Sequence, residues 1–356
     1  MRHSLRKMPN AADQRRTDNV IRACYTAGDD FDLFRARFMD VLRRAVPHDA
    51  AFVAAADPET LLFTNAFSDD ALAPSGPLFL ASEFGAEHDV NRFADLARSA
   101  DPVASLDQLT RGDRAASARF REAIAPLGMG DELRVAFRVD RTVWGFLCLH
   151  RSGASSFGPD DMAVLRSVAV HAGEAVRRLA TSSSASAVAP EAVILVSGRT
   201  VTAIGGSADD LDLGRINVGH PLPVLLAALV ARLEAIEAGA VDAGASPAAI
   251  RVTTPNGALV AVHAARLQEA GGAGPVVLTI ASAAPHERSS LLLAAHGLTP
   301  AQCRVARLVL QGRTTGQIVV ELRISAHTVQ DHLKAIFDKF GVRSRRELVG
   351  AVMQLH

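Results

Sequence analysis

Residues 324–341 read Ile324-Ser325-Ala326-His327-Thr328-Val329-Gln330-Asp331-His332-Leu333-Lys334-Ala335-Ile336-Phe337-Asp338-Lys339-Phe340-Gly341. Val329, Leu333, Ile336, Phe337 and Phe340 recur at steps of four, three, one and three, which is the spacing of one apolar helix face. Gln330, Asp331, Lys334 and Asp338 fall on the opposite face. Ser325 stands where an N-cap is needed, Thr328 follows at the third helical position, and Gly341 ends the pattern. The stretch predicts an amphipathic helix whose outer side is polar.

The sequence around it carries the same punctuation. Thr299-Pro300-Ala301-Gln302 is a capping box with proline at the first helical position. Thr314-Thr315-Gly316-Gln317 and Ser344-Arg345-Arg346-Glu347 are two more. Gly297 and Gly312 stand where helix C-termini are expected. Val305, Leu308 and Val309 share one face; Ile318, Val319 and Leu322 share another. From Leu298 to His356 the chain therefore predicts four short helices. A short helix, a tight turn and an amphipathic helix with a polar outer face form the layout of a helix-turn-helix.

The residues Leu298-Thr299-Pro300, Gly312-x-Thr314, Ile318-x-x-x-Leu322 and Ile324-Ser325-x-His327-Thr328-Val329-x-x-His332-Leu333-x-x-Ile336-Phe337-x-Lys339-Phe340-Gly341-Val342 resemble the LuxR-type helix-turn-helix family. Arg345, Glu347 and Leu348 extend the match. The resemblance implies a sequence-specific transcription regulator that binds double-stranded operator DNA. It assigns DNA contacts to Thr314, Ser325, His327, Thr328, Val329, Gln330, Asp331, His332, Lys334 and Arg343. It assigns homodimerisation to Leu348, Val349, Val352 and Met353 on helix four, and makes RNA polymerase a candidate partner. Glutamine can pair with adenine, lysine with guanine, and aspartate with cytosine N4. The plainer readings are a solvated face for Gln330, Asp331 and Lys334, capping for Thr314, Ser325, His327 and Thr328, packing for His332, and packing of helix four on helices one and three.

Some positions depart from the family. Gln302 and Arg304 replace acidic residues, and Thr315-Gly316-Gln317 replaces Asn-Lys-Glu, so one lysine–phosphate contact is lost at Gly316. Gln330 replaces a common lysine. Operator preference does not carry over from relatives.

Upstream, Thr181 to Pro190 is small, polar and aperiodic, and reads as a linker. It separates a segment at 15–180 from one at 191–283, with the helical segment at 287–356. In the first, Phe31, Phe34, Phe38, Leu42 and Val46 mark a helix face. Ala50–Ala56 and Leu61–Phe67 flank a turn signal at Asp57-Pro58-Glu59-Thr60 and read as a hairpin. Arg134–Val139 and Val143–His150 read as a second hairpin, and Pro159–Leu179 as a long helix. This order, with Trp144-Gly145-Phe146-Leu147-Cys148-Leu149-His150 and Ser156-Phe157-Gly158-Pro159-Asp160-Asp161, resembles a GAF domain. The second segment predicts strands at 192–196, 200–203, 249–254, 258–266 and 276–281 with a helix near 222–238. Asn256-Gly257 marks a hairpin there, and the layout looks like a reduced PAS domain. The expected fold class is α+β: a GAF-like and a PAS-like domain followed by an all-α four-helix LuxR-type domain. No internal repeat is visible.

Charge is distributed to match. The chain has 38 basic and 38 acidic side chains and a formal net charge of zero. Residues 286–356 hold ten Lys/Arg and five Asp/Glu, a net of +5, and the rest carries −5. A basic tail behind an acidic front suits a protein of which the tail alone meets phosphate.

Other chemistry is thin. Cys24, Cys148 and Cys303 are far apart, which argues against disulfides and a cysteine zinc site and suits a reducing cytosol. Cys148, His150 and His171 are candidate haem or metal ligands, but buried, satisfied histidines are the preferred reading, so no metal site is expected. Glu83, Glu87, His88 and Asp89 read as a solvated acidic cluster, and Trp144 as core. Lysine occurs at 7, 334 and 339 alone, so there is no nucleotide-binding loop. The front half lacks the acidic pair and late lysine of a phosphorylated receiver. One Trp and one Tyr speak against an aromatic autoinducer pocket. No nucleophile elbow or zincin helix occurs, so an enzyme is not expected. No apolar region follows the basic residues 1–10, and Pro221–Leu233 is too short to span a bilayer. A cytoplasmic protein is expected. The front domains would sense an unknown small ligand or partner. The competing reading is a signalling scaffold whose helix-turn-helix serves protein contacts.

Overall fold

A computed structural model describes residues 11–26, 30–85, 88–181, 189–207, 213–242, 247–270 and 272–353. The apolar face expected at residues 31–46 is realised in helix α2 (Phe31–Ala45), which follows α1 (Ala11–Ala23). Phe34, Phe38, Leu42 and Val46 are fully buried. The Asp30 carboxylate caps α2 by accepting the Leu33 N–H at 2.8 Å.

The first sheet contains β1 (Ala50–Ala56), β2 (Phe63–Ser68), β3 (Val103–Ser105), β4 (Met129–Val139) and β5 (Thr142–Ser152), in the order β2-β1-β5-β4-β3. Helices α3 (Gly76–Phe84), α4 (Phe93–Arg98) and α5 (Leu106–Leu109) fill the stretch between β2 and β4, and α6 (Pro159–Thr181) closes the domain. Met162, Leu165, Val168, Ala169, Ala172 and Val176 of α6 are buried as their spacing predicts. Gly145 on β5 is required by close approach: a Cβ there would lie 2.5 Å from the Ala54 carbonyl oxygen on β1. Trp144 is core, with no exposed surface.

The second sheet contains β6 (Ala192–Ser197), β7 (Thr200–Gly206), β8 (Ala249–Thr253), β9 (Leu259–Glu269) and β10 (Gly272–Ser282). Its order is β7-β6-β10-β9-β8, all antiparallel, with helix α7 (Val224–Glu237) between β7 and β8. In both sheets the strands lie second, first, fifth, fourth, third. This shared topology is invisible in the sequence because it arises from pairings between distant strands. Most of the expected linker, residues 182–188, lies outside the described residues.

The C-terminal part holds the four helices expected from Leu298 onward, with one more ahead of them. Among the described residues it has five: α8 (Pro285–Ala295), α9 (Pro300–Leu310), α10 (Thr315–Leu322), α11 (Ala326–Phe340) and α12 (Arg345–Met353). The gap expected between the segments at 191–283 and 287–356 falls at the start of α8. Pro285 is at its first position, and Glu287 Oε2 accepts the Ala284 N–H at 2.7 Å. Leu293 of α8 joins Val305, Val309, Ile318, Val329, Leu333, Ile336, Leu348 and Val352 in one core.

Candidate nucleic-acid interface

Four caps, reciprocal or single, fix the starts of the helices. Thr299 Oγ1 accepts the Gln302 N–H at 3.3 Å and Gln302 Oε1 accepts the Thr299 N–H at 2.9 Å. Thr314 and Gln317 repeat the arrangement at 3.3 and 2.8 Å. Ser325 Oγ accepts the Thr328 N–H at 3.0 Å. Ser344 accepts from Glu347 N–H, but the Glu347 carboxylate takes the N–H of Arg343, one residue before the expected partner. Glu347 is held below the usual carboxylate range by that N–H and by the Ser344 hydroxyl.

The turn between α10 and α11 closes on Arg323, which adopts a left-handed conformation at φ 53°. Ile324 N–H then reaches back to the Val319 carbonyl at 3.3 Å. An arginine gives no sequence signal for this conformation, which usually selects glycine or asparagine.

From this turn α11 presents His327, Gln330, Asp331, Lys334 and Asp338 to solvent, at steps of three, one, three and four. His327 Nε2 is 3.6 Å from the Asp331 carboxylate one turn on. Thr314, Ser325 and Arg343 are also exposed, while Thr328 and His332 are half-buried. Val329 is fully buried in the helical core. As its place in the apolar repeat requires, it supports α11 from within and is not available to a ligand. Leu348 and Val352 are likewise fully buried, so they are committed to this chain's own core. Val349 is half-buried, and the Met353 side chain lies outside the description.

Two basic residues that the charge count treats as available, the exposed Lys339 and the half-buried Arg345, brace the helices to one another. Lys339 Nζ donates to Gly297 O at 2.6 Å and to Gln302 Oε1 at 2.9 Å. Arg345 donates to Arg313 O at 2.8 Å and to Thr315 Oγ1 at 2.9 Å. Sequence reasoning placed both in the motif without assigning them this work. Lys334, by contrast, sits on the exposed row.

The front domain corrects one reading. Glu83 is not solvated: it is buried, accepts the Phe93 N–H at 2.9 Å and pairs with Arg134. Asp89 is half-buried and accepts the Arg119 N–H at 2.7 Å. His88 is exposed, and Glu87 lies outside the described residues. Charged residues occupy this interior because each carboxylate meets a guanidinium. Cys148 and His150 lie together, 3.2 Å apart. His171 belongs elsewhere, with Nδ1 2.8 Å from the Tyr25 hydroxyl.

The chain thus combines an α+β domain built on one five-stranded sheet, a second five-stranded antiparallel sheet with one helix, and a C-terminal helix-turn-helix. Residues 296–352 match the family model of bacterial regulatory proteins, luxR family, and residues 32–176 match the GAF domain. The chain thus carries a LuxR-type helix-turn-helix and a GAF domain. No curated protein matches. Among solved structures, the chromophore-binding domain of a bacteriophytochrome from R. palustris is 14% identical, over 49% of this chain and 64% of that one, with a TM-score of 0.32. The chain therefore spans slightly less than two thirds of that protein. The fuller structure of that bacteriophytochrome is 11% identical over 78% and 67%, at 0.35. VqmA of Vibrio cholerae, solved with ligand and DNA, is 17% identical over 46% and 82%, at 0.23. No described helix is long and apolar enough to cross a membrane.

Proposed function

We propose that this chain is a sequence-specific, cytoplasmic transcription regulator that binds operator DNA as a homodimer, with front domains that sense a small ligand or partner. The observation that carries the reading is the outward row of α11. Gln330 and Lys334 lie one turn apart on a helix anchored by a buried core, with donors suited to base edges and phosphates. Thr314 and Ser325 cap the N-termini of α10 and α11, and backbone N–H groups at such ends favour phosphate. Asp331 is the weakest of the assigned contacts, since its charge opposes phosphate. The second sheet shares its strand order with the GAF sheet, which supports a second, PAS-like sensor. For the dimer, the surface on offer is the outward side of α12 around Val349, because Leu348 and Val352 face inward. RNA polymerase remains a candidate partner on the family resemblance alone.

The test is selection from a random duplex pool by the full-length protein, followed by mobility-shift titration. The expected result is an enriched sequence with two-fold related half-sites, and an affinity that falls steeply with salt as phosphate neutralisation requires. No enrichment and a flat salt response would favour the scaffold reading.

A further inference from the structure

The interior of the GAF domain brings together three donors that the DNA-binding reading does not use. Cys148 and His150 alternate along β5, so both side chains fall on one face of the sheet. Their strand register is fixed by β1, with Phe52 opposite Cys148 and Ala50 opposite His150. Glu132 lies on β4, the next strand. One ligand atom from each of Glu132, Cys148 and His150 lies within 4.8 Å of the other two, and all three side chains are buried. The imidazole is half satisfied: Nε2 faces the thiol, while Nδ1 is buried without a hydrogen-bond partner.

We propose that Glu132, Cys148 and His150 form a binding site for a borderline divalent transition ion of the zinc class. The donor set is one thiolate, one imidazole and one carboxylate, a mixture that suits such an ion better than calcium or magnesium. The thiol–imidazole separation of 3.2 Å is close to the spacing that two ligands on one ion adopt, given bonds of about 2.3 Å to sulfur and 2.0–2.1 Å to nitrogen. Three protein donors leave a fourth position for an exogenous ligand, as sites that do more than hold structure do.

The surrounding charge agrees. Glu132 Oε1 is 2.8 Å from Arg119 Nη2 and 2.9 Å from Arg134 Nε. Arg134 also meets Glu83, and Arg119 meets Asp89 at 3.9 Å. The cluster thus sets three carboxylates against two guanidiniums, an excess of one negative charge. A dication that displaces one thiol proton adds one net positive charge and brings the cluster to neutrality. The metal–sulfur bond replaces the S–H bond, the proton leaves to solvent, and no oxidation state changes.

The full-length protein, stripped with chelator, is titrated with cobalt(II) as a spectroscopic stand-in for zinc. The expected result is one equivalent bound, with a thiolate-to-cobalt charge-transfer band. In the Cys24→Ser/Cys303→Ser protein, whose sole thiol is Cys148, the site is untouched and the band must persist. His150→Ala is expected to weaken cobalt binding by roughly 100-fold or more. Absence of the band in the Cys24→Ser/Cys303→Ser protein, or cobalt bound without it, overturns the proposal. This outcome is independent of DNA binding.

Discussion

Lys339 Nζ and Gln302 Oε1 lie 2.9 Å apart, and the same oxygen accepts the N–H of Thr299, so one amide ties the start of α9 to the end of α11. Lys339 also donates to Gly297 O, where the chain leaves α8. Replacing it by alanine removes a charged donor from two acceptors and should cost about 1 kcal/mol. The Lys339→Ala protein should melt a few degrees lower in its C-terminal transition. Its DNA affinity should fall no further than its folded fraction accounts for.

Lys334 should behave in the opposite way. It is exposed on the outer row of α11, away from the core formed by Val329, Leu333 and Ile336. Lys334→Ala should leave the melting curve within about 0.5 kcal/mol of the parent, as surface substitutions do. Its loss should weaken binding to a selected duplex by about 1–3 kcal/mol, roughly tenfold to more than a hundredfold. Unchanged affinity in a mobility-shift titration would remove the central residue of the proposed interface.

How far the sequence discloses this molecule follows from how local each signal is. The caps at Thr299, Thr314 and Ser325 and the apolar rows of α2, α6, α9 and α11 depend on neighbours within four residues, and the structure reproduces them. Strand β4 begins five residues earlier than expected, at Met129 instead of Arg134. Asp131 and Glu132 look like loop residues until their partners are known. Glu132 meets Arg119, and Arg134 meets Glu83 across 51 residues of sequence. The same non-local pairing hides the metal-type cluster, since Glu132 stands on a different strand from Cys148 and His150. Helix α8 leaves little trace in the sequence for a local reason: its polar first turn, Pro285-His286-Glu287-Arg288, conceals the buried Leu291 and Leu293 behind it.

Val329 separates motif membership from contact. The family pattern includes it in the recognition helix, but its side chain is fully buried. Val329→Ala should leave a small cavity and cost about 2 kcal/mol of stability in the helical domain. Binding measured per folded molecule should keep both its sequence preference and its salt dependence. A changed preference at unchanged stability would show that the side chain reaches DNA.

The buried charges of the GAF domain make its stability depend on pH over two windows. Folded His150 resists protonation until about pH 4, whereas an ordinary imidazole takes up its proton near 6.5. Between those values the unfolded chain binds more protons than the folded one, so stability falls as the pH is lowered from about 6.5 to about 4. Glu132 acts in the next window. Arg119 and Arg134 hold its carboxyl at about 2, against an ordinary 4.5. Its contribution is complete above about 4.5 and is lost as the pH falls towards 2. Denaturant midpoints of the metal-free protein should therefore decline in two successive stages. His150→Gln should flatten the upper stage and leave the lower one. A variant whose midpoints still fall between pH 6.5 and 4 as steeply as the parent's would show that another group carries that dependence.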